Sequence, residues 1–92
     1  MAVRVRIVGD LSRFVREDTL DLGGSQYTLG GAVDELVRRN PRLREQLFDR
    51  EGRLHHAIVL ALNGRPASWP QERESAIGDG GELMLTRFHS GG

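Results

Sequence analysis

An α+β fold, in which one main helix packs on one face of a mixed sheet of four or five strands, is predicted by three features of this sequence. Val3, Val5 and Ile7 alternate with Arg4 and Arg6, the two-residue period of a strand with one buried face. Leu29, Ala32, Val33, Leu36 and Val37 recur at the three-and-four spacing that gathers apolar side chains along one side of a helix. Ala57 to Leu62 is a nearly continuous apolar run, closed by Asn63-Gly64, a strong signal for a tight turn between strands. A chain of 92 residues, 38% of them hydrophobic, fills one core and cannot divide it, so a single domain over residues 1–92 is expected.

The first strand spans residues 2–8 and is broken by Gly9-Asp10, after which Leu11 and Phe14 tuck a loop against the core. Thr19-Leu20-Asp21-Leu22 alternates again and is expected to pair antiparallel with the first strand. Gly23-Gly24-Ser25 ends it. Thr28 is the expected N-cap of the helix, because its hydroxyl can accept a bond from an otherwise unpaired amide of the first turn. Gly30 and Gly31 follow; glycine costs roughly 1 kcal/mol relative to alanine in a helix interior and less in a first turn, so their presence points to close backbone packing. Arg38, Arg39 and Asn40 close the helix, since Pro41 disfavours helical geometry in the residue before it. Leu43, Leu47 and Phe48 suggest a short helical turn over the core. Pro66 makes the strand after the Asn63-Gly64 turn short and peripheral. Ile77-Gly78-Asp79-Gly80-Gly81 is turn chemistry, and Glu82 to Arg87 forms the last strand. Strand, strand, helix, strand, short strand, strand is an order that suits a β-grasp. The first and last strands then pair in parallel through a long crossover, and residues 88–92 leave the middle of the sheet as an exposed tail.

Composition removes several function classes. Lys+Arg and Asp+Glu each number 13, with no run of like charge, so neither a nucleic-acid footprint nor a polybasic membrane anchor is expected. All the basic residues are arginine. Without a lysine the chain cannot accept an isopeptide bond on its own side chains, which leaves only the Met1 amine. The absence of cysteine excludes disulfides, thiolate catalysis and cysteine metal ligation, and fits a reducing compartment. No long apolar run opens the sequence, so neither a signal peptide nor a membrane span is expected, and the location expected is the cytoplasm. His55, His56 and His89 give no metal site, because adjacent side chains on a strand point to opposite faces and no cysteine supports them. Gly78-Asp79-Gly80-Gly81 lacks the spacing and the lysine of a phosphate-binding loop. Arg38, Arg39, Arg42 and Arg44 form a polar helix end that is also a candidate docking surface for acidic partners. Trp69, beside Pro70, is expected to cover the core.

Four segments resemble the MoaD/ThiS family of ubiquitin-like sulfur carriers: Thr28-Leu29-Gly30-Gly31-Ala32-Val33, Leu54-His55 through Leu62-Asn63, Ala76-Ile77-Gly78-Asp79-Gly80 and the terminal Gly91-Gly92. The second of these is most similar to the branch that supplies sulfur for cysteine synthesis. One stretch departs from the family pattern. Where members often carry a proline-containing apolar segment before the diglycine, this chain has Thr86-Arg87-Phe88-His89-Ser90, which bears on the choice of partner.

The resemblance implies that the Gly92 carboxylate is the reactive group and that Phe88, His89, Ser90 and Gly91 are read by partners. Glycine suits this role because, lacking Cβ, it lets the backbone enter a narrow cleft. A carboxylate is a poor electrophile, so the resemblance implies a ubiquitin-activating-type enzyme that uses ATP to adenylate Gly92. A sulfur donor, such as a rhodanese or a persulfide, then gives a thiocarboxylate. A sulfur-acceptor enzyme uses it to make cysteine, molybdopterin, a thiazole or a related product. The chain itself is a carrier and not an enzyme, with no bound cofactor and no metal. Docking is expected on the sheet face that carries Met84, Thr86, Arg4 and Arg6, with Phe88 as an aromatic anchor; Leu83 and Leu85 face the helix. The plainer alternative is that Met84 and Phe88 complete an edge of the core. Two other functions remain open: a protein modifier conjugated through Gly92 to lysines of other proteins, and a β-grasp interaction module without terminal chemistry.

Overall fold

The structure, a computed structural model, describes residues 2–23 and 26–88. Strand β1 (Val3–Val8) leads into a 3-10 helix (Gly9–Phe14), and β2 (Thr19–Leu22) returns antiparallel to β1 with Val5 opposite Leu20. A two-residue strand β3 (Tyr27–Thr28) precedes helix α1 (Leu29–Arg39) and the short helix α2 (Leu43–Leu47). Then come β4 (Ile58–Leu62), β5 (Arg65–Ala67), β6 (Ala76–Ile77) and β7 (Glu82–Arg87). The main sheet has five strands in the order β2-β1-β7-β4-β5, and β7 runs parallel to β1 and antiparallel to β4. This is the expected β-grasp, with the last strand in the middle.

The core lies between α1 and the face of the sheet that carries Val3, Val5, Leu83, Leu85 and Leu60, all buried against Leu29, Val33 and Leu36. Helix α1 starts where the sequence says: the Thr28 hydroxyl accepts a bond from the Gly31 amide at 3.0 Å. It ends at Asn40, a buried polar side chain whose amide nitrogen donates to the Leu36 carbonyl and whose oxygen accepts from the Arg16 amide. Both ends of that amide are satisfied, which offsets the cost of burying it.

The close packing expected at the start of α1 is present at Gly30. Its amide donates to the Arg73 carbonyl at 2.8 Å, and a Cβ there would lie 3.1 Å from that oxygen. Two details differ from the sequence reading. The segment after β1 is a 3-10 helix and not an irregular loop, with Leu11 fully buried. Tyr27 and Thr28 pair with Ile77 and Ala76 in a separate two-stranded sheet that pins the helix start to the segment before β7. Trp69 packs partly buried against the core, and Phe48 meets it with ring centroids 6.0 Å apart. Among the described residues no helix is long and apolar enough to cross a membrane.

Candidate functional site

Alternation along β1 and β7 sends Arg4, Arg6 and Val8 to the face opposite the helix, together with Glu82, Met84 and Thr86. Strand register fixes who meets whom. Arg6 stands beside Met84, Met84 beside Ala61, and Ala61 beside Pro66, in one row across four strands. A second row sets Val8 beside Thr86 and Thr86 beside Val59. The expected gathering of Arg4, Arg6, Met84 and Thr86 on one open face is therefore found.

Its chemistry is split along its length. Arg4 approaches Asp21 at 3.8 Å and Arg6 approaches Glu82 at 3.5 Å, all of them substantially exposed, so these pairs contribute little to stability and leave the guanidinium groups accessible. Toward the C-terminal end of β7 the face becomes apolar. Val8 and Val59 are each 37% exposed and Phe88 is 63% exposed; these are the large hydrophobic side chains most open to solvent among the described residues. Phe88 thus does not complete the core edge, whereas Met84 is half-buried beside Ala61. Val8, Val59 and Ala61 were not singled out from sequence. Val8 ends an evident alternation and was findable; Val59 and Ala61 sit inside an unbroken apolar run that gives no sign of which residues face outward.

The path toward the tail is anchored at two points. The Phe88 amide donates to the Ala57 carbonyl at 2.7 Å, carrying the β4 pairing one residue past β7. Arg87, on the helix side, donates to Gln46 Oε1 at 2.7 Å and lies 3.8 Å from Asp10 Oδ2. His89, Ser90, Gly91 and Gly92 lie outside the described residues. Among the described residues no group of three or more histidine, aspartate or glutamate side chains is arranged to hold a metal.

No family model and no curated protein sequence matches the chain. Its solved structural neighbours include SAMP1 from Haloferax volcanii, with 28% identity and a TM-score of 0.80 over 100% of both chains. The Amycolatopsis orientalis BexX/CysO complex gives 22% identity and a TM-score of 0.75, covering 99% of this chain and 100% of that one. Urm1 from Trypanosoma brucei gives 20% identity and a TM-score of 0.75, covering 99% and 95%. The last two show likeness of fold.

Proposed function

We propose, for a chain whose ubiquitin-like β-grasp fold and structural neighbours agree with the MoaD/ThiS type, a role as a sulfur carrier that reacts at the Gly92 carboxylate. The observation that supports it best is the placement of β7. As the central strand it directs the chain toward the tail from the middle of the sheet, beside the open face that joins Arg4 and Arg6 to the apolar group of Val8, Val59 and Phe88. A partner that covers this face is positioned to receive the residues that follow Phe88. An apolar centre with an aromatic anchor supplies binding energy, and the two arginines orient the complex. CysO, a neighbour of the same fold, is found in complex with BexX, which supports the binding of such a fold by a partner protein.

The chemistry follows from the poor electrophilicity of a carboxylate. An activating enzyme attaches the Gly92 carboxylate to the α-phosphate of ATP and releases pyrophosphate. Attack by the terminal sulfur of a donor persulfide on the acyl carbon expels AMP and forms an acyl disulfide; a second thiol then attacks the donor's sulfur, leaving the thiocarboxylate on the chain and a disulfide on the donor side. That sulfur is the nucleophile toward a substrate held by the acceptor enzyme, and release from the adduct by water regenerates the carboxylate. The chain contributes the acyl group and the docking face; catalysis resides in its partners.

Intact-protein mass spectrometry of the chain from its native cell, with and without alkylation of thiocarboxylates, tests this. Alkylation localised to Gly92 by fragmentation supports the carrier. Localisation is needed because oxidation of Met1 or Met84 gives the same nominal mass gain as replacing oxygen by sulfur. The second reading, a protein modifier, draws on the likeness to SAMP1, a small archaeal modifier protein, along the whole chain; the absence of lysine bars lysine-linked chains of the modifier itself and leaves attachment to other proteins open. Gly92 found on lysines of other proteins, with no thiocarboxylate under sulfur demand, would select it. Function that survives removal of Gly91-Gly92 would exclude both and leave a non-covalent module.

A further inference from the structure

A concavity of about 1110 Å³ lies between the C-terminal half of α1, α2, the turn at 49–54 and the segment 69–73. None of the sheet-face residues described above lines it. Its floor is apolar: Phe48 and Trp69 meet at a tilt of 55°, Leu54 lies beside them, and all three are only partly buried. Its walls hold five arginines and three carboxylates. Part of that excess is already matched, since Arg53 lies 3.5 Å from Asp49 and Arg38 pairs with Glu35 outside the groove, which leaves Arg44, Arg50 and Arg73 facing Asp34 and Glu45. Asp49 also accepts bonds from the amides of Glu51 and Arg53 at 2.9 Å, and the bond from Arg53 is the main reason its carboxyl lies below the usual range. Arg44 and Arg50, both exposed, make no ion pair among the described residues. Arg73 is only 3.9 Å from Glu74, itself 86% exposed.

We propose that this groove docks an acidic segment of a partner protein, seating one apolar side chain on Phe48 and Trp69 and pairing its carboxylates with Arg44 and Arg50. Guanidinium groups match carboxylates in bidentate geometry, and an aromatic floor supplies the apolar contact that gives such a segment its register. A nucleic-acid strand fits less well, because a phosphate backbone calls for a continuous cationic track. Here Asp34, Glu45 and Asp49 interrupt the arginines, which suits separate carboxylates spaced around an apolar anchor. Since the groove and the sheet face share no residues, one partner can hold the groove while another covers the face. The proposal therefore stands apart from the chemistry at Gly92.

The test is a titration of the isotope-labelled full chain, followed by NMR, with a short blocked peptide of aspartates and glutamates around a central leucine pair. Shifts at the Trp69 indole N–H and at the amides of 44–54, weakened roughly tenfold or more by R44E/R50E and only partly by R44K/R50K, are expected. Both arginines are exposed and unpaired, so the variants keep the fold, which the undisturbed spectrum of β1 and β7 verifies. The proposal is overturned by no change at Trp69, by equal binding of the matching lysine peptide, or by shifts confined to the Arg4 and Arg6 face. Displacement of the peptide by a lower concentration of an RNA oligonucleotide would overturn it in favour of nucleic acid.

Discussion

Arg87, the last residue of β7, donates to Gln46 Oε1 of α2 at 2.7 Å and so ties the central strand to the helical layer one residue before Phe88. The arginine side chain is 23% exposed and also lies 3.8 Å from Asp10, which makes this contact sturdier than a fully solvated pair. Hydrogen bonds to charged groups contribute about 1.5–3 kcal/mol when sheltered, and partial exposure reduces that. R87A is expected to lower stability by about 1–2 kcal/mol in urea unfolding, with R87K intermediate. An unchanged midpoint would mean that the pair is merely superficial.

A loss of helix capping is expected for T28A. The Thr28 hydroxyl accepts from the Gly31 amide at 3.0 Å, and removal of such a cap costs about 1 kcal/mol. T28S, which keeps the oxygen, should recover most of the loss. Equal destabilisation by both would point instead to the threonine methyl or to the pairing of Thr28 with Ala76.

These two contacts mark how far the sequence could be followed. Thr28 was legible because capping is local: the hydroxyl and the amide it serves are three residues apart. The alternation of Val3, Val5 and Ile7 likewise names its own buried face. Arg87 was not legible, since Gln46 and Asp10 reach it only after α2 and the 3-10 helix pack against the sheet. The same holds for Tyr27 with Ile77, where two-residue strands have no periodicity to detect. Phe48 and Trp69 meet through the tertiary fold alone, so the arginines at the helix end suggested an acidic partner but not the groove that would receive it.

The pH dependence of stability should carry the signature of Glu35. The hydrogen bonds from Arg38 and then from Arg39, at 2.7 Å, hold its carboxyl at about 2, below its value in an unfolded chain. A depressed carboxyl stabilises the fold fully above the unfolded value and loses that contribution as pH falls toward the folded one. The stability difference between the wild type and E35Q should therefore be level near neutrality and shrink between about pH 4.5 and 2. A difference that stays constant through that window in urea titrations would rule out the ionised carboxylate as its source.

The open face can be tested separately from folding. Met84 is half-buried between Arg6 and Ala61, on the side away from the core. M84E removes apolar surface at the centre of the proposed contact and sets a carboxylate beside Arg6, which draws that guanidinium away from a partner. Affinity for the activating enzyme should fall at least roughly tenfold while the unfolding midpoint changes little. A variant that binds normally would move the docking surface elsewhere, and one that unfolds would assign Met84 to the core.

Two glycines without positive φ should respond oppositely to alanine. Gly78 has nothing within 4 Å of an added Cβ, so G78A removes freedom from the unfolded chain at no steric cost and should stabilise by about 0.4–1 kcal/mol. Gly30 stands in the first turn of α1, where alanine would add helix propensity of up to ~1 kcal/mol. Its Cβ, however, would lie 3.1 Å from the Arg73 carbonyl oxygen that accepts the Gly30 amide bond at 2.8 Å. That oxygen belongs to backbone held by a bond from the Arg73 amide to the Pro70 carbonyl, so it cannot withdraw without stretching contacts on both sides. Crowding therefore outweighs propensity, and G30A should destabilise by about 1 kcal/mol or more in urea unfolding. A gain in stability at Gly30 would show that the 69–73 segment yields easily.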